Sequence, residues 1–256
     1  MWADPIYKLY ERRLAASLDA ERQPTHIGVI LDGHRRFARA EGLADYRASY
    51  QEGVAKFGQF LGWCHELRIP AVTAWVLSAE NLARPAPELE PLLAVLANLV
   101  TELGPLAASL DASLRHIGSL DLLPDSLAEA AKGAEAASAM PGSWRITLAL
   151  GYGGRQEIVD ACKALVGDLV RSGVPPDELP EHITAKSLGD NLYLTDLVDP
   201  DLIIRTSGEA RMSGFLLWQS AYAEFAFVDP FWPAFRRVDF LRTLRDFGRR
   251  ERRYGL

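Results

Sequence analysis

Six short strand-like runs separated by helical stretches constrain this chain more than any other feature. They cover 26–31 (HIGVIL), 71–77 (AVTAWVL), 115–118, 144–150, 202–205 and 224–228. The most apolar of them show no alternation, the pattern of strands buried on both faces of a parallel sheet. Helical periodicity fills the intervals. Val54, Phe57, Phe60, Leu61 and Cys64 share one face over 53–67, and helices are expected from about Arg36 and over 88–103, 124–137 and 156–170. Strand–helix alternation of this kind predicts an α/β fold: one domain over 1–256 with a mostly parallel central sheet of about six strands and helices packed around it. Ligands in such sheets bind beyond the carboxyl ends of the strands.

The flanks are helical too. Leu9, Tyr10, Leu14 and Leu18 make an amphipathic helix of the N-terminal segment 1–22, and a basic segment over 236–256 closes the chain. That segment holds eight arginines from Arg236 to Arg253, the pattern of a solvated helix face that could also meet phosphate. A net charge of -6 argues against general nucleic-acid binding. Cys64 and Cys162 are isolated, which fits a reducing cytoplasm. No signal peptide is expected, and no membrane span: the longest apolar candidate, 92–110, is interrupted by Asn98, Glu102, Gly104 and Pro105. Peripheral contact with a membrane stays open.

Polar clusters follow the strand-like runs. Asp32-Gly33-His34-Arg35-Arg36 comes directly after the first run and opens a helix, where backbone N–H groups, Gly33 and two guanidinium groups suit an anion. Asp32 belongs in an anion site only if a cation bridges it to phosphate, which points to Mg²⁺; the bland reading is a helix cap. Ser78-Ala79-Glu80-Asn81 with Arg84 ends the second run and reads equally well as a turn. Arg205 to Ser213 (RTSGEARMS) offers two arginines and several hydroxyls after LIIR, a diphosphate cradle. Glu224 enters an apolar run and needs a metal or an arginine as partner. There is no P-loop, HExxH or Gly-x-Ser-x-Gly element.

These blocks, in this order, resemble the cis-prenyltransferase family, whose best-known members make undecaprenyl diphosphate. HIGVILDGHRRFAR, LSAENLARP, LALGYGGRQEIVDA, DLIIRTSGEARMSGFLLWQSAYAEFAF and the closing ERRYG carry the resemblance over about 7–255. The length and both ends look most like short-chain actinobacterial members. The resemblance implies an apolar tunnel between sheet and helices and two isoprenoid diphosphates as substrates. Mg²⁺ would be held by Asp32 and Glu224. The allylic diphosphate would be bound by Gly33, His34, Arg35, Arg36 and Arg84, and the second diphosphate by Arg205, Arg211 and Ser213. Ser78 and Asn81 would help remove the proton that ends the condensation, and Arg253 in the closing RYG would complete a phosphate site near the interface of a homodimer.

The chain departs from the family pattern in four places. His34 stands where the family has asparagine, Phe37 where it has tryptophan, Ser49-Tyr50 where it has Gly-His or Gly-Tyr, and Ala79 where it has a second serine. The expected reaction is a short-chain condensation of an allylic diphosphate with a five-carbon diphosphate. The product would be about ten to fifteen carbons, because Trp75, Val76 and Leu77, with Leu92, Leu96 and Leu99 opposite, would wall the tunnel. The alternatives are irregular head-to-middle coupling of two allylic diphosphates, as in lavandulyl-type products, and a non-catalytic partner subunit.

Overall fold

The computed structural model describes residues 3–138 and 144–250. Six strands form one all-parallel sheet in the order β3-β4-β2-β1-β5-β6: β1 (His26–Ile30), β2 (Ala71–Ser78), β3 (Ala112–Ile117), β4 (Trp144–Tyr152), β5 (Leu202–Arg205) and β6 (Glu224–Phe227). β1 is buried at every position, as an inner strand covered on both faces must be. The helices are α1 (Ala3–Ala16), α2 (His34–Ala40), α3 (Tyr46–Glu66), α4 (Ala86–Ser109), α5 (Asp125–Ala137), α6 (Gly154–Arg171), α7 (Leu179–His182), α8 (Ala185–Gly189) and α9 (Arg237–Arg249).

The larger core packs α3, α4 and α9 against one face of the sheet, through Phe57, Phe60, Leu61, Val95, Leu99, Trp232 and Phe240 among others. The opposite face carries Ile30, Trp75, Tyr152, Ile203 and Phe215. A step of one residue along a strand changes face, so Trp75 and Val76 of β2 belong to different layers. Trp75 stacks on Phe215 with ring centroids 5.3 Å apart, and its indole N–H donates to the Tyr152 carbonyl.

Five elements differ from the expectation, of which α7 and α8 were not expected at all. α3 begins at Tyr46 rather than near 53, because the Asp45 carboxylate caps it, accepting from the N–H groups of Arg47 (2.9 Å) and Ala48 (3.3 Å). α4 runs through Pro105 to Ser109, with the proline on its exposed side. β3 begins at Ala112, not 115. By length and composition alone α4 could cross a membrane, yet its Leu92, Val95, Leu96, Leu99, Val100 and Leu103 are buried in the core. Along α9 the arginines lie on the polar face. Arg237 pairs with Glu66, Arg245 with Asp246 and Arg250 with Glu224, so part of this basic run is charge-paired.

Candidate active site

The carboxyl ends of β1, β2 and β5 open on one cavity of about 390 Å³. Its head is polar, with Asp32, Gly33, His34, Arg35, Arg36, Arg39, Tyr50, Asn81, Arg84, Glu209 and Arg211. Its depth is apolar, walled by Val54 and Phe57 of α3, Val76 of β2, and Leu92, Val95, Leu96 and Leu99 of α4. Val76 and the three α4 leucines therefore stand where the sequence put them. Trp75 does not, since it lies on the far face of the sheet, and Leu77 is fully buried in the core.

Asp32 leaves β1 at the centre of the head. Its backbone N–H donates to Thr206 Oγ1, which donates in turn to the Asp32 carbonyl at 2.8 Å, joining the ends of β1 and β5. Its carboxylate accepts from Arg205 Nη2 at 2.7 Å and lies 3.7 Å from Arg36. Burial alone would raise the Asp32 pKa. The Arg205 hydrogen bond and charge, with Ser207 and Arg36 behind them, outweigh it and hold the group ionised below its usual range. Gly33 caps α2 at φ 107°, a conformation that disfavours side chains, and a methyl there would press on Phe231 and Ser207. α2 has only seven residues. The head therefore owes its positive character mainly to guanidinium groups rather than to a helix dipole.

Arg205 is buried. Its Nη1 donates to the Arg211 carbonyl (2.6 Å) and to Ser213 Oγ (2.7 Å). It stands behind the cavity wall and shapes the loop that carries Arg211. That loop is bent sharply, with Ser207, Ser213 and Leu216 all at positive φ, the local strain that functional loops carry. Glu209 joins the halves of the head, accepting from Arg36 at 2.7 Å and pairing with Arg211. Arg35 pairs with Glu88 at 3.2 Å.

His34 packs against Gly53 of α3, where a methyl would overlap the imidazole. Ser49 Oγ donates to the His34 carbonyl at 2.8 Å, and His34 Nδ1 faces the Ser49 carbonyl at 3.2 Å. Only a protonated Nδ1 can bond a carbonyl, so Nε2 bears the lone pair. Burial drives the His34 pKa down to about 4, against the Ser49 hydrogen bond and the Asp32 charge and with help from Arg84. The residue keeps a partly exposed edge while its ring is packed. As it stands, His34 is neutral near pH 7.

The remaining expected residues fall elsewhere. Ser78 is a cap, with its Oγ accepting from the Asn81 N–H at 3.2 Å; it orients Asn81 without lining the cavity. Ser213 borders a second cavity with Glu80 and Tyr193. Glu224 is a correction. β6 runs parallel to β5 with Glu224 level with Leu202, so it opens its strand at the amino end of the sheet, opposite Asp32, and binds Arg250 at 3.0 Å. Within one chain it does not complete a metal site with Asp32. Arg253 lies outside the described residues. Three polar cavity residues went unassigned from sequence: Arg39, Tyr50 and Glu209. Tyr50 had a legible signal, standing four residues after Tyr46 on one helix face. Among the described residues its buried hydroxyl makes no well-formed hydrogen bond, although the Arg84 guanidinium lies close to it.

A polar, arginine-rich head over an apolar depth, on a six-stranded parallel sheet, is the geometry of an amphiphilic diphosphate site. The model for the Prenyltransf family, described as "Putative undecaprenyl diphosphate synthase", matches residues 30–255. The chain belongs to the undecaprenyl diphosphate synthase family of prenyltransferases. It is 45% identical over 254 residues to a short-chain Z-isoprenyl diphosphate synthase of Mycobacterium bovis, covering 98% of this chain and 96% of the relative. It is 45% identical over 251 residues to a (2Z,6E)-farnesyl diphosphate synthase of Thermobifida fusca, covering 98% and 97%. Among solved structures, lavandulyl diphosphate synthase of Lavandula x intermedia, in complex with dimethylallyl diphosphate, superposes with a TM-score of 0.83 at 30% identity over 92% of this chain and 100% of that one. The family fold is thus shared across members named for different products.

Proposed function

We propose that this prenyltransferase joins an allylic prenyl diphosphate to a five-carbon isoprenoid diphosphate and releases diphosphate, giving a short-chain Z-prenyl diphosphate. The observation that carries the reading is the one cavity in which Asp32 and five arginines head an apolar slot closed by Val76, Leu92, Leu96 and Leu99. The allylic carbon–oxygen bond breaks, and its electron pair leaves with the diphosphate. Fixed guanidinium donors stabilise that charge in proportion to how well they are preorganised. The double bond of the acceptor attacks the allylic carbon, and the proton lost afterwards passes to a diphosphate oxygen. Asn81, oriented by Ser78, holds the acceptor for that transfer. The apolar walls keep water from the cation.

A divalent metal fits this head. Asp32 is an ionised carboxylate at the centre of the arginines, with Glu209 spent on Arg36 and Arg211, and among the described residues no cluster of three or more metal-ligating side chains exists. Magnesium suits such a place, since it binds through one or two carboxylates together with substrate phosphates. When bound, it would supply charge stabilisation on the leaving diphosphate. Gly33, Arg36 and Arg84 serve the allylic diphosphate, with Arg35 and His34 at its edge. Arg205, Arg211 and Ser213 serve the other one.

The enzyme works in the cytoplasm as a homodimer. β6 ends the sheet as an edge strand bearing stacked Phe225 and Phe227, with Tyr222 exposed beside it, an edge that favours pairing with a second copy. Sedimentation of the purified protein tests this. Incubation with Mg²⁺ and paired diphosphates, followed by product identification, tests the reaction. Irregular coupling is the second reading, favoured by His34 at the head and by the likeness to lavandulyl diphosphate synthase. A non-catalytic subunit is disfavoured by the complete set of Asp32 and cavity arginines.

A further inference from the structure

Five arginines line the cavity: Arg35, Arg36, Arg39, Arg84 and Arg211. Three have their charge matched, Arg35 by Glu88, Arg36 by Glu209 and Asp32, and Arg211 by Glu209. Arg39 and Arg84 form no ion pair among the described residues. Arg84 already belongs to the site read from sequence, whereas Arg39 does not.

Arg39 is aimed by a neutral partner. Its Nη2 donates to the Tyr46 hydroxyl at 3.3 Å. Tyr46 is the first residue of α3, and the Asp45 cap fixes the start of that helix. Glu88, whose field reaches Arg39, is committed to Arg35. A guanidinium held by a carboxylate has spent its charge, but one held by a phenol keeps it while losing orientational freedom. The wall that bears Arg39 leads inward. Tyr46 and Tyr50 are neighbours at 6.5 Å between ring centroids, and Tyr50 and His34 at 5.4 Å, so the row ends at the His34 head.

We propose that Arg39, oriented by Tyr46, is a further binding residue for the allylic diphosphate, gripping it from the outer rim of the cavity while Arg36 and Arg84 hold it from within. The ligand class is a diphosphate monoester, and the inference rests on the function proposed above. Because Arg39 is exposed, its contribution is modest and screened by salt.

The test uses Arg39→Gln and Tyr46→Phe in the full chain. Steady-state kinetics with geranyl and isopentenyl diphosphates is run at low salt and again at about 0.5 M, where screening is nearly complete beyond a few ångströms. Calorimetry with inorganic diphosphate is run in parallel. The Arg39→Gln enzyme should show a KM for geranyl diphosphate raised about five- to tenfold at low salt and an inorganic diphosphate Kd raised similarly, with the isopentenyl KM within about twofold. Tyr46→Phe should move the same quantities in the same direction by less, and high salt should shrink both gaps. Unchanged diphosphate Kd and geranyl KM in both variants, or equal rises in both KM values, overturns the assignment. Calorimetry separates this from the parent reading. Wild-type protein that binds diphosphate yet turns over no prenyl pair contradicts the function, whereas equal binding by wild type and Arg39→Gln contradicts the role of Arg39.

Discussion

Asp32 and Arg205 are joined across the ends of β1 and β5 by a 2.7 Å charge-assisted hydrogen bond. One member is the carboxylate suited to a metal, and the other is a buried arginine whose remaining donors shape the Arg211 loop. The two proposed diphosphate sites are therefore joined through this ion pair; losing Asp32 leaves the Arg205 guanidinium buried without its carboxylate, and losing Arg205 leaves Asp32 with the longer 3.7 Å contact to Arg36.

Asp32→Ala should lower turnover by at least about a hundredfold, as expected when a group acting on transition-state charge is lost, and EDTA should silence the wild type. The Asp32 pKa is lowered by folding, so its share of stability is present above about pH 4, the unfolded carboxylate value, and is lost as pH falls through the lower folded value. Acid unfolding of Asp32→Asn should show a shallower slope in that window. Full activity in EDTA, or equal acid slopes, contradicts these roles.

Arg211 and Arg205 should separate. Arg211 touches the cavity, and its loss should raise the acceptor KM by about ten- to a hundredfold, the worth of a charged hydrogen bond. Arg205→Ala should do the same and also lower thermal stability, because it removes the shortest charge-assisted bond to the Asp32 carboxylate and leaves Ser213 without its donor. If only the allylic KM moved in either variant, the two sites would be assigned in reverse.

The tunnel wall yields a paired prediction. Val76→Ala or Leu96→Ala removes volume from the cavity wall and should lengthen the product, since the space opened admits further methylenes. Trp75→Ala, on the opposite face of the sheet, should reduce stability through the loss of its packing on Phe215 without lengthening the product. Longer products from Trp75→Ala alone would place the ruler on the other layer. Mass spectrometry of the products reads all three variants.

The Trp75 case shows what was legible in the sequence. The order of the strands' polar ends, the α/β class and the arginine-rich head are written locally, in apolar runs that stop at Asp32, Ser78 and Arg205. Which face of β2 looks into the cavity is a pleat question. Bulk alone put Trp75, Val76 and Leu77 on the wall together, whereas the alternation of faces leaves Val76. Glu224 failed for a related reason. Its neighbours mark a strand, but the level at which that strand starts depends on pairing with β5, which no local pattern carries. Arg39 and Glu209 were hidden because an arginine on a short helix and an acid in a loop look solvated until their partners are known.

His34 gives a pH prediction. Its pKa falls from the ordinary 6.5 to about 4, chiefly through burial. The stability linked to the neutral ring is complete above about pH 6.5 and is lost as pH falls toward 4, because the unfolded chain binds the proton first. Denaturant unfolding should therefore show wild type losing stability relative to His34→Asn across that window and tracking it above pH 7. Parallel curves would mean that the ring is not held neutral. The same variant, with Ser49→Gly, should alter the share of irregular product if the wild type makes any.

The most direct test of the central claim is the identity of the bond formed. Purified enzyme with Mg²⁺ should convert geranyl diphosphate and labelled isopentenyl diphosphate into a regular head-to-tail product with a new Z double bond, seen by mass spectrometry and NMR, with diphosphate released in equal amount. Two dimethylallyl diphosphates should react slowly or not at all. Product formed only from paired allylic diphosphates, with a head-to-middle bond, would contradict the account.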